Sequence, residues 1–228
     1  MLHVVAGIVL VLIAYLLGSI PFAIVIGKWF WHVDVRDHGS GNVGTTNVFR
    51  VLGKKAGTLV LIGDMAKGFI PVFAAVQLAD HSVFPAWFPL IVALAALLGH
   101  MFSIFLRGGG GKGVATGAGI VLALVPGVFI AALCVFLLLL ILSRMVSLAS
   151  MCAALTFAVG TTVFAGKPVY YDVLAWVAAV VVIFAHRSNI RRIALRCENK
   201  VTFPWESRGG PSSPPKGAAG TDGRAQPR

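Results

Sequence analysis

Residues 4–27 read V-V-A-G-I-V-L-V-L-I-A-Y-L-L-G-S-I-P-F-A-I-V-I-G, from Val4 to Gly27, without one charged side chain. A helix of about 20 mostly apolar residues crosses roughly 30 Å of hydrocarbon, so this stretch predicts a membrane span. No Lys or Arg precedes it, the run is longer than a secretory h-region, and the polar segment after it lacks a small-residue cleavage site, which separates it from a signal peptide. Further apolar runs follow at Thr58 to Leu78, Ala86 to Leu106, Gly113 to Val125, Val128 to Leu142, Leu148 to Phe164 and Val173 to Ala185. The expected fold is therefore all-α: a polytopic integral membrane protein of about seven transmembrane helices with Gly-rich cytoplasmic loops. Pro126-Gly127 either turns the chain between two short helices or kinks one long one.

Composition supports the same class. Of 228 residues, 58% are hydrophobic and 12% charged, whereas soluble domains carry about a quarter charged residues. A water-soluble enzyme is excluded on that ground. The net charge of +11, from 19 Lys+Arg against 8 Asp+Glu, does not read as nucleic-acid binding, because the charges fall in short clusters between apolar runs. Cys134, Cys152 and Cys197 lie far apart, two of them inside apolar runs, so neither a disulfide framework nor a metal site is expected.

Basic residues concentrate in Lys28–Lys55, Arg107–Lys112, Arg144 and Arg187–Lys200, and the alternate connections hold little beyond Lys167. Basic loops face the cytoplasm, which predicts a cell-membrane protein with its N-terminus outside and its C-terminus inside. Residues 207–228 are rich in Pro, Gly and Ser and are expected to form a flexible tail, leaving 1–206 as a single transmembrane domain.

Two loops are too unusual to be mere connectors. The first, Gly39-Ser40-Gly41-Asn42-Val43-Gly44-Thr45-Thr46-Asn47, ends at Arg50 and satisfies G-x-G-x-x-G with Asp64 twenty residues beyond Gly44. That fingerprint binds dinucleotides only between a strand and a helix; here spans flank it, so no nucleotide cofactor is expected. What remains is an anion site of glycine backbone N–H groups, hydroxyls and a guanidinium able to grip phosphate with two bonds. The second loop runs Arg107-Gly108-Gly109-Gly110-Gly111-Lys112-Gly113. A Walker loop needs Ser or Thr after the lysine, and Gly113 stands there. Consecutive glycines cost conformational entropy, and close approach of backbone to a ligand at the start of the next helix accounts for them.

A third cluster follows the last span: His186, Arg187, Ser188, Asn189, Ile190, Arg191 and Arg192, then Glu198 and Lys200. His186 and Asn189 share a helix face. Arg191, Arg192 and Arg196 read as headgroup-binding topology signals. The His32 to Asp37 spacing of an H-x-x-x-x-D motif stands without that motif's usual surroundings and is taken as chance. Asp64 and Lys67, three apart in an apolar run, are expected to pair with each other or face a site. His100 is expected to be a hydrogen-bonded structural residue.

Read together, the blocks G-S-I-P-F-A (Gly18 to Ala23), G-S-G-N-V-G-T-T-N-V-F-R (Gly39 to Arg50), D-M-A-K-G (Asp64 to Gly68), Gly99-His100, G-G-G-K-G-V-A-T (Gly109 to Thr116) and H-R-S-N-I-R-R (His186 to Arg192) resemble the bacterial acyl-phosphate:glycerol-3-phosphate acyltransferases of the PlsY type. The likeness extends to about Lys200. It implies an enzyme that moves an acyl group from acyl phosphate to the 1-hydroxyl of glycerol 3-phosphate, giving lysophosphatidate and inorganic phosphate, the first step of membrane phospholipid synthesis.

By that resemblance Ser40, Thr46, Asn47 and Arg50 bind glycerol 3-phosphate. Gly109, Gly110, Gly111, Lys112, Gly113, Thr116 and Ser147 bind the acyl phosphate, and His186, Asn189, Lys112 and Ser40 carry the chemistry. Glu198 braces the site, and Asp64 and Lys67 are counted with it as structural residues. No cofactor or metal is implied. The implied partners are the two substrates, membrane lipids and an upstream enzyme that forms the acyl phosphate. Two positions depart from the family pattern: Gly109 stands where a lysine is common, and Val146-Ser147 replaces a Ser-Ser pair. A carrier of phosphorylated solutes is the competing class, but neither loop recurs in a second copy.

Overall fold

The computed structural model describes residues 2–202; the tail expected at 207–228 lies outside them. The described residues form ten helices: α1 (Leu2–Ser19), α2 (Phe22–Trp31), α3 (Thr45–Val51), α4 (Gly53–Asp80), α5 (Phe88–Met101), α6 (Val114–Leu124), α7 (Pro126–Ser143), α8 (Val146–Phe164), α9 (Val169–Ala185) and α10 (Arg187–Ala194). Single 3-10 turns at Val35–Asp37 and Ile104–Leu106 lie in the connections that contain the two glycine loops. Among the described residues there is no strand.

Five segments are long and apolar enough to cross a membrane: Leu2–Ser19, Gly53–Asp80, Phe88–Leu106, Pro126–Ser143 and Val146–Phe164. A sixth is reached if α9 and α10, bent by 58° at His186, are counted together. The expected seven spans are thereby modified in one place and resolved in another. First, the run from Val4 to Gly27 is two helices, because Pro21 has no N–H to give and its ring collides with the preceding turn. The break frees the Ile20 carbonyl, which accepts a 2.8 Å hydrogen bond from Lys67 Nζ, the kind of internal partner that makes broken backbone tolerable at membrane depth. Second, α6 has 11 residues, about 16 Å at 1.5 Å per residue, too short to cross alone. Pro126 turns the chain there: Val125 leaves the helical region and Pro126 opens α7.

Packing pairs α4 with α6, α1 with α5, and α7 with α8. The first pair approaches through small residues, as membrane helices do: a methyl at Gly119 would strike the Met65 carbonyl oxygen, and one at Gly68 the Thr116 carbonyl oxygen. Only 11% of α7 is buried, and Ile130, Leu138, Ile141 and Leu142 stand exposed along it. Such a surface suits lipid, since no hydrophobic gain arises from leaving hydrocarbon for protein.

Candidate functional site

The first glycine loop is shaped from within. Asn47 on α3 is buried, and its Oδ1 accepts from Ser40 N at 2.8 Å and Ser40 Oγ at 3.1 Å. Its Nδ2 donates to the carbonyls of Val35 and His38 at 2.9 and 3.1 Å. The amide is thus spent on the fold of the loop, and it holds Ser40 at the loop's exposed edge. Thr46 and Arg50, four apart, share a face of α3, and Arg50 is exposed with no hydrogen bond or ion pair among the described residues. Before the loop, Asp34 takes Arg36 Nη2 at 2.6 Å and Lys28 Nζ at 3.0 Å. The Arg36 guanidinium holds the Asp34 carboxyl well below the usual range, against burial and with help from Lys28. The sequence reading passed over this cluster, though three charges within nine residues were its signal.

In the second loop Gly110 and Gly111 press on protein, a reason for them that stands beside the expected approach to a ligand. A methyl at Gly110 would collide with the His100 carbonyl oxygen, and one at Gly111 with the His100 ring, while lying 2.9 Å from Val43 O. Gly111 N donates to His100 O at 3.2 Å. The second loop therefore lies between the end of α5 and the first loop. Both loops line one open pocket of about 310 Å³, with Gly41, Asn42 and Val43 from the first, Leu106, Gly109 and Gly110 from the second, and Arg36.

The third cluster closes on Lys112. Lys112 Nζ donates to Asn189 Oδ1, Asn189 Nδ2 donates to Glu198 Oε1 at 2.6 Å, and Ser147 Oγ at the start of α8 reaches the same oxygen at 2.9 Å. Arg192 Nε donates to Glu198 Oε2 at 2.8 Å, so Arg192 belongs to this network, a contact not expected of it. Burial pushes the Glu198 carboxyl up, but the hydrogen bonds from Asn189, Arg192 and Ser147 outweigh it and hold the group below its usual value. Burial pushes the Lys112 ammonium down, Arg192 adds to that, and Glu198 opposes it.

His186, 3% exposed, ends α9 with Nδ1 2.8 Å from Val182 O. A carbonyl only accepts, so Nδ1 carries the proton and Nε2 of the neutral ring keeps its lone pair. Asp64 and Lys67 form a 2.8 Å ion pair, one of the two arrangements expected of them. Thr116 is fully buried at the α4·α6 contact, and Gly113 opens α6 with positive φ. No group of three or more His, Cys, Asp or Glu suited to a metal ion occurs among the described residues.

Residues 8–196 match the family model described as glycerol-3-phosphate acyltransferase. The chain is 45% identical over 195 residues to a glycerol-3-phosphate acyltransferase of Geobacillus kaustophilus, covering 86% of this chain and 96% of that one. It is 44% identical over 191 residues to one of Myxococcus xanthus, covering 84% and 97%. Two crystal structures of PlsY (YgiH), an integral membrane glycerol 3-phosphate acyltransferase, share the fold. The glycerol 3-phosphate form gives a TM-score of 0.82 at 41% identity, covering 90% of this chain and all of that one. The lysophosphatidic acid form gives 0.79 at 42%, covering 86% and 96%.

Proposed function

The chain belongs to the glycerol-3-phosphate acyltransferase family, and from that premise we propose that this integral membrane acyltransferase uses acyl phosphate as its donor. Its products are lysophosphatidate and inorganic phosphate. The observation that supports the reading is the proximity of the two glycine loops: both line one pocket of about 310 Å³, and the first leads on to Arg50 and the second to Lys112.

In this mechanism Ser40, Thr46 and Arg50 hold glycerol 3-phosphate, with Asn47 acting through Ser40. The second loop and Lys112 hold the phosphate of the donor, and Ser147, Asn189 and Glu198 keep Lys112 oriented. An acyl phosphate is a mixed anhydride with a good leaving group, so no covalent enzyme intermediate is required. The 1-hydroxyl oxygen attacks the acyl carbonyl, the bond from that carbon to the phosphate oxygen breaks, and phosphate departs with the electron pair. The hydroxyl proton passes to His186 Nε2 or to an oxygen of the acyl phosphate. Acceleration comes from positioning two reactants together and from donors aimed at the developing oxyanion. The basic loops support a cytoplasmic side for this site, and in this reading an enzyme that makes acyl phosphate supplies the donor there.

The test is direct. Purified protein in lipid is given palmitoyl phosphate and glycerol 3-phosphate, and lysophosphatidate and inorganic phosphate are measured. Equal amounts of both are expected. Turnover with a palmitoyl thioester but none with palmitoyl phosphate would overturn the donor assignment.

A further inference from the structure

Beneath the loops the helices bury charge that the reaction above does not use. Asp64 and Lys67 on α4 and His100 on α5 are 2%, 5% and 6% exposed. Ionisable groups at membrane depth are expensive and mark a function by default. Each of these three touches a different part of the scaffold around the site. Asp64 Oδ2 accepts a long 3.5 Å hydrogen bond from Thr45 Oγ1, at the start of α3, the helix that carries Thr46 and Arg50. Lys67 Nζ bridges Asp64 and the freed carbonyl of Ile20. His100 lies under the second loop, its carbonyl bonded to Gly111 N and its ring against Gly111.

Among these groups is a cavity of about 10 Å³ lined by Ser19, Asp64, Lys67, His100 and Gly111, the space of a single water. Two buried polar atoms on its walls, Ser19 Oγ and His100 Nδ1, lack a hydrogen-bond partner. Asp64 Oδ1 is 3.9 Å from His100 Nδ1, a separation that a bridging water closes. Ser19 Oγ, His100 Nδ1 and Asp64 Oδ1 belong to residues that line this one space, and three partners lie within the range buried waters make.

We propose that Asp64, Lys67 and His100, joined by one bound water that also contacts Ser19 Oγ, are positioning residues that fix the two phosphate-holding loops relative to each other. This rests on the proposed function, in which each loop holds one substrate. A fully satisfied buried network is rigid. Loosening it leaves each loop able to bind its own phosphate but misaligns the pair, so the loss falls on kcat and not on either KM.

The experiment compares the full chain with His100→Ala, His100→Gln and Ser19→Ala in lipid, using palmitoyl phosphate and glycerol 3-phosphate, with thermal unfolding recorded for each. For His100→Ala, kcat should fall by about ten- to a hundredfold while both KM values stay within about threefold. His100→Gln, whose amide can still bond the water, should recover part of that loss. Ser19→Ala should lower kcat by less, again without a change in KM. A folded His100→Ala protein with wild-type kcat overturns the proposal, as does a loss expressed in KM or an equal loss in His100→Gln. If His100→Ala does not fold, an unchanged kcat in Ser19→Ala overturns it. Absence of wild-type turnover with palmitoyl phosphate is a different result, and it refutes the donor assignment instead.

Discussion

Asn189 Nδ2 donates to Glu198 Oε1 across 2.6 Å, and an amide that gives its NH₂ to a carboxylate turns its oxygen the other way, here toward Lys112. The orientation of the lysine is thus set by a carboxylate it does not touch. Glu198 gathers α8 through Ser147 and α10 through Asn189 and Arg192 onto the second glycine loop.

Glu198→Gln should therefore damage acyl-phosphate use. The new amide can donate toward Asn189 and reverse it, and a hydrogen bond to a charged group contributes about 1.5–3 kcal/mol. A rise in KM for palmitoyl phosphate with little change for glycerol 3-phosphate is expected. The carboxyl also predicts an acid limit. Its value in the fold lies below the ordinary 4.5, so its stabilisation is complete above that pH and is lost as pH falls through the lower folded value. Thermal unfolding against pH should show this acid limb in the wild type and a reduced one in Glu198→Gln.

Lys112 predicts the alkaline limb. Burial holds its ammonium below the usual 10.5, so the charge proposed to grip the donor phosphate disappears at a lower pH than for an exposed lysine. kcat/KM for palmitoyl phosphate should fall on that side, and Lys112→Arg, always charged, should remove the limb even where its activity is low. An unmoved limb in Lys112→Arg would assign it elsewhere.

Arg50→Ala should act on the acceptor. The guanidinium is exposed and unpaired among the described residues, so removing it breaks no internal bond. The loss of one charge-assisted contact, about 1.5–3 kcal/mol, should appear as a higher KM for glycerol 3-phosphate. An unchanged KM refutes the role.

Gly111→Ala should cost far more than Gly117→Ala. The first methyl meets the His100 ring and stands 2.9 Å from Val43 O, whereas the second meets nothing within 4 Å and lies on α6. Activity should collapse in the former. In the latter it should persist, with a stability gain of up to about 1 kcal/mol from helix propensity. Comparable activity in the two would mean that the second loop does not depend on its contact with α5.

His186→Gln separates the two candidate bases. With Nε2 as base, kcat should drop by about 10²–10⁴ and the acid limb due to imidazole should vanish. Turnover with an unchanged pH profile assigns the proton to the acyl phosphate.

The sequence by itself determined the all-helical membrane class and the blocks that carry the family resemblance. Uncharged apolar runs are set by composition and length, so the helices from Thr58 to Leu78 and Leu148 to Phe164 were legible, and Asp64 with Lys67 followed from helical spacing. Only the tertiary structure decided what the blocks do to one another. Pro21 stood in plain view, yet a run of hydropathy does not say whether a proline kinks a span or divides it; the answer depends on Lys67 arriving to take the Ile20 carbonyl. Likewise the bond from Arg192 to Glu198 and the contact of Gly110 and Gly111 with His100 could not be read from the local pattern. Local pattern is a property of adjacent residues, while these contacts join positions brought together only when the helices pack.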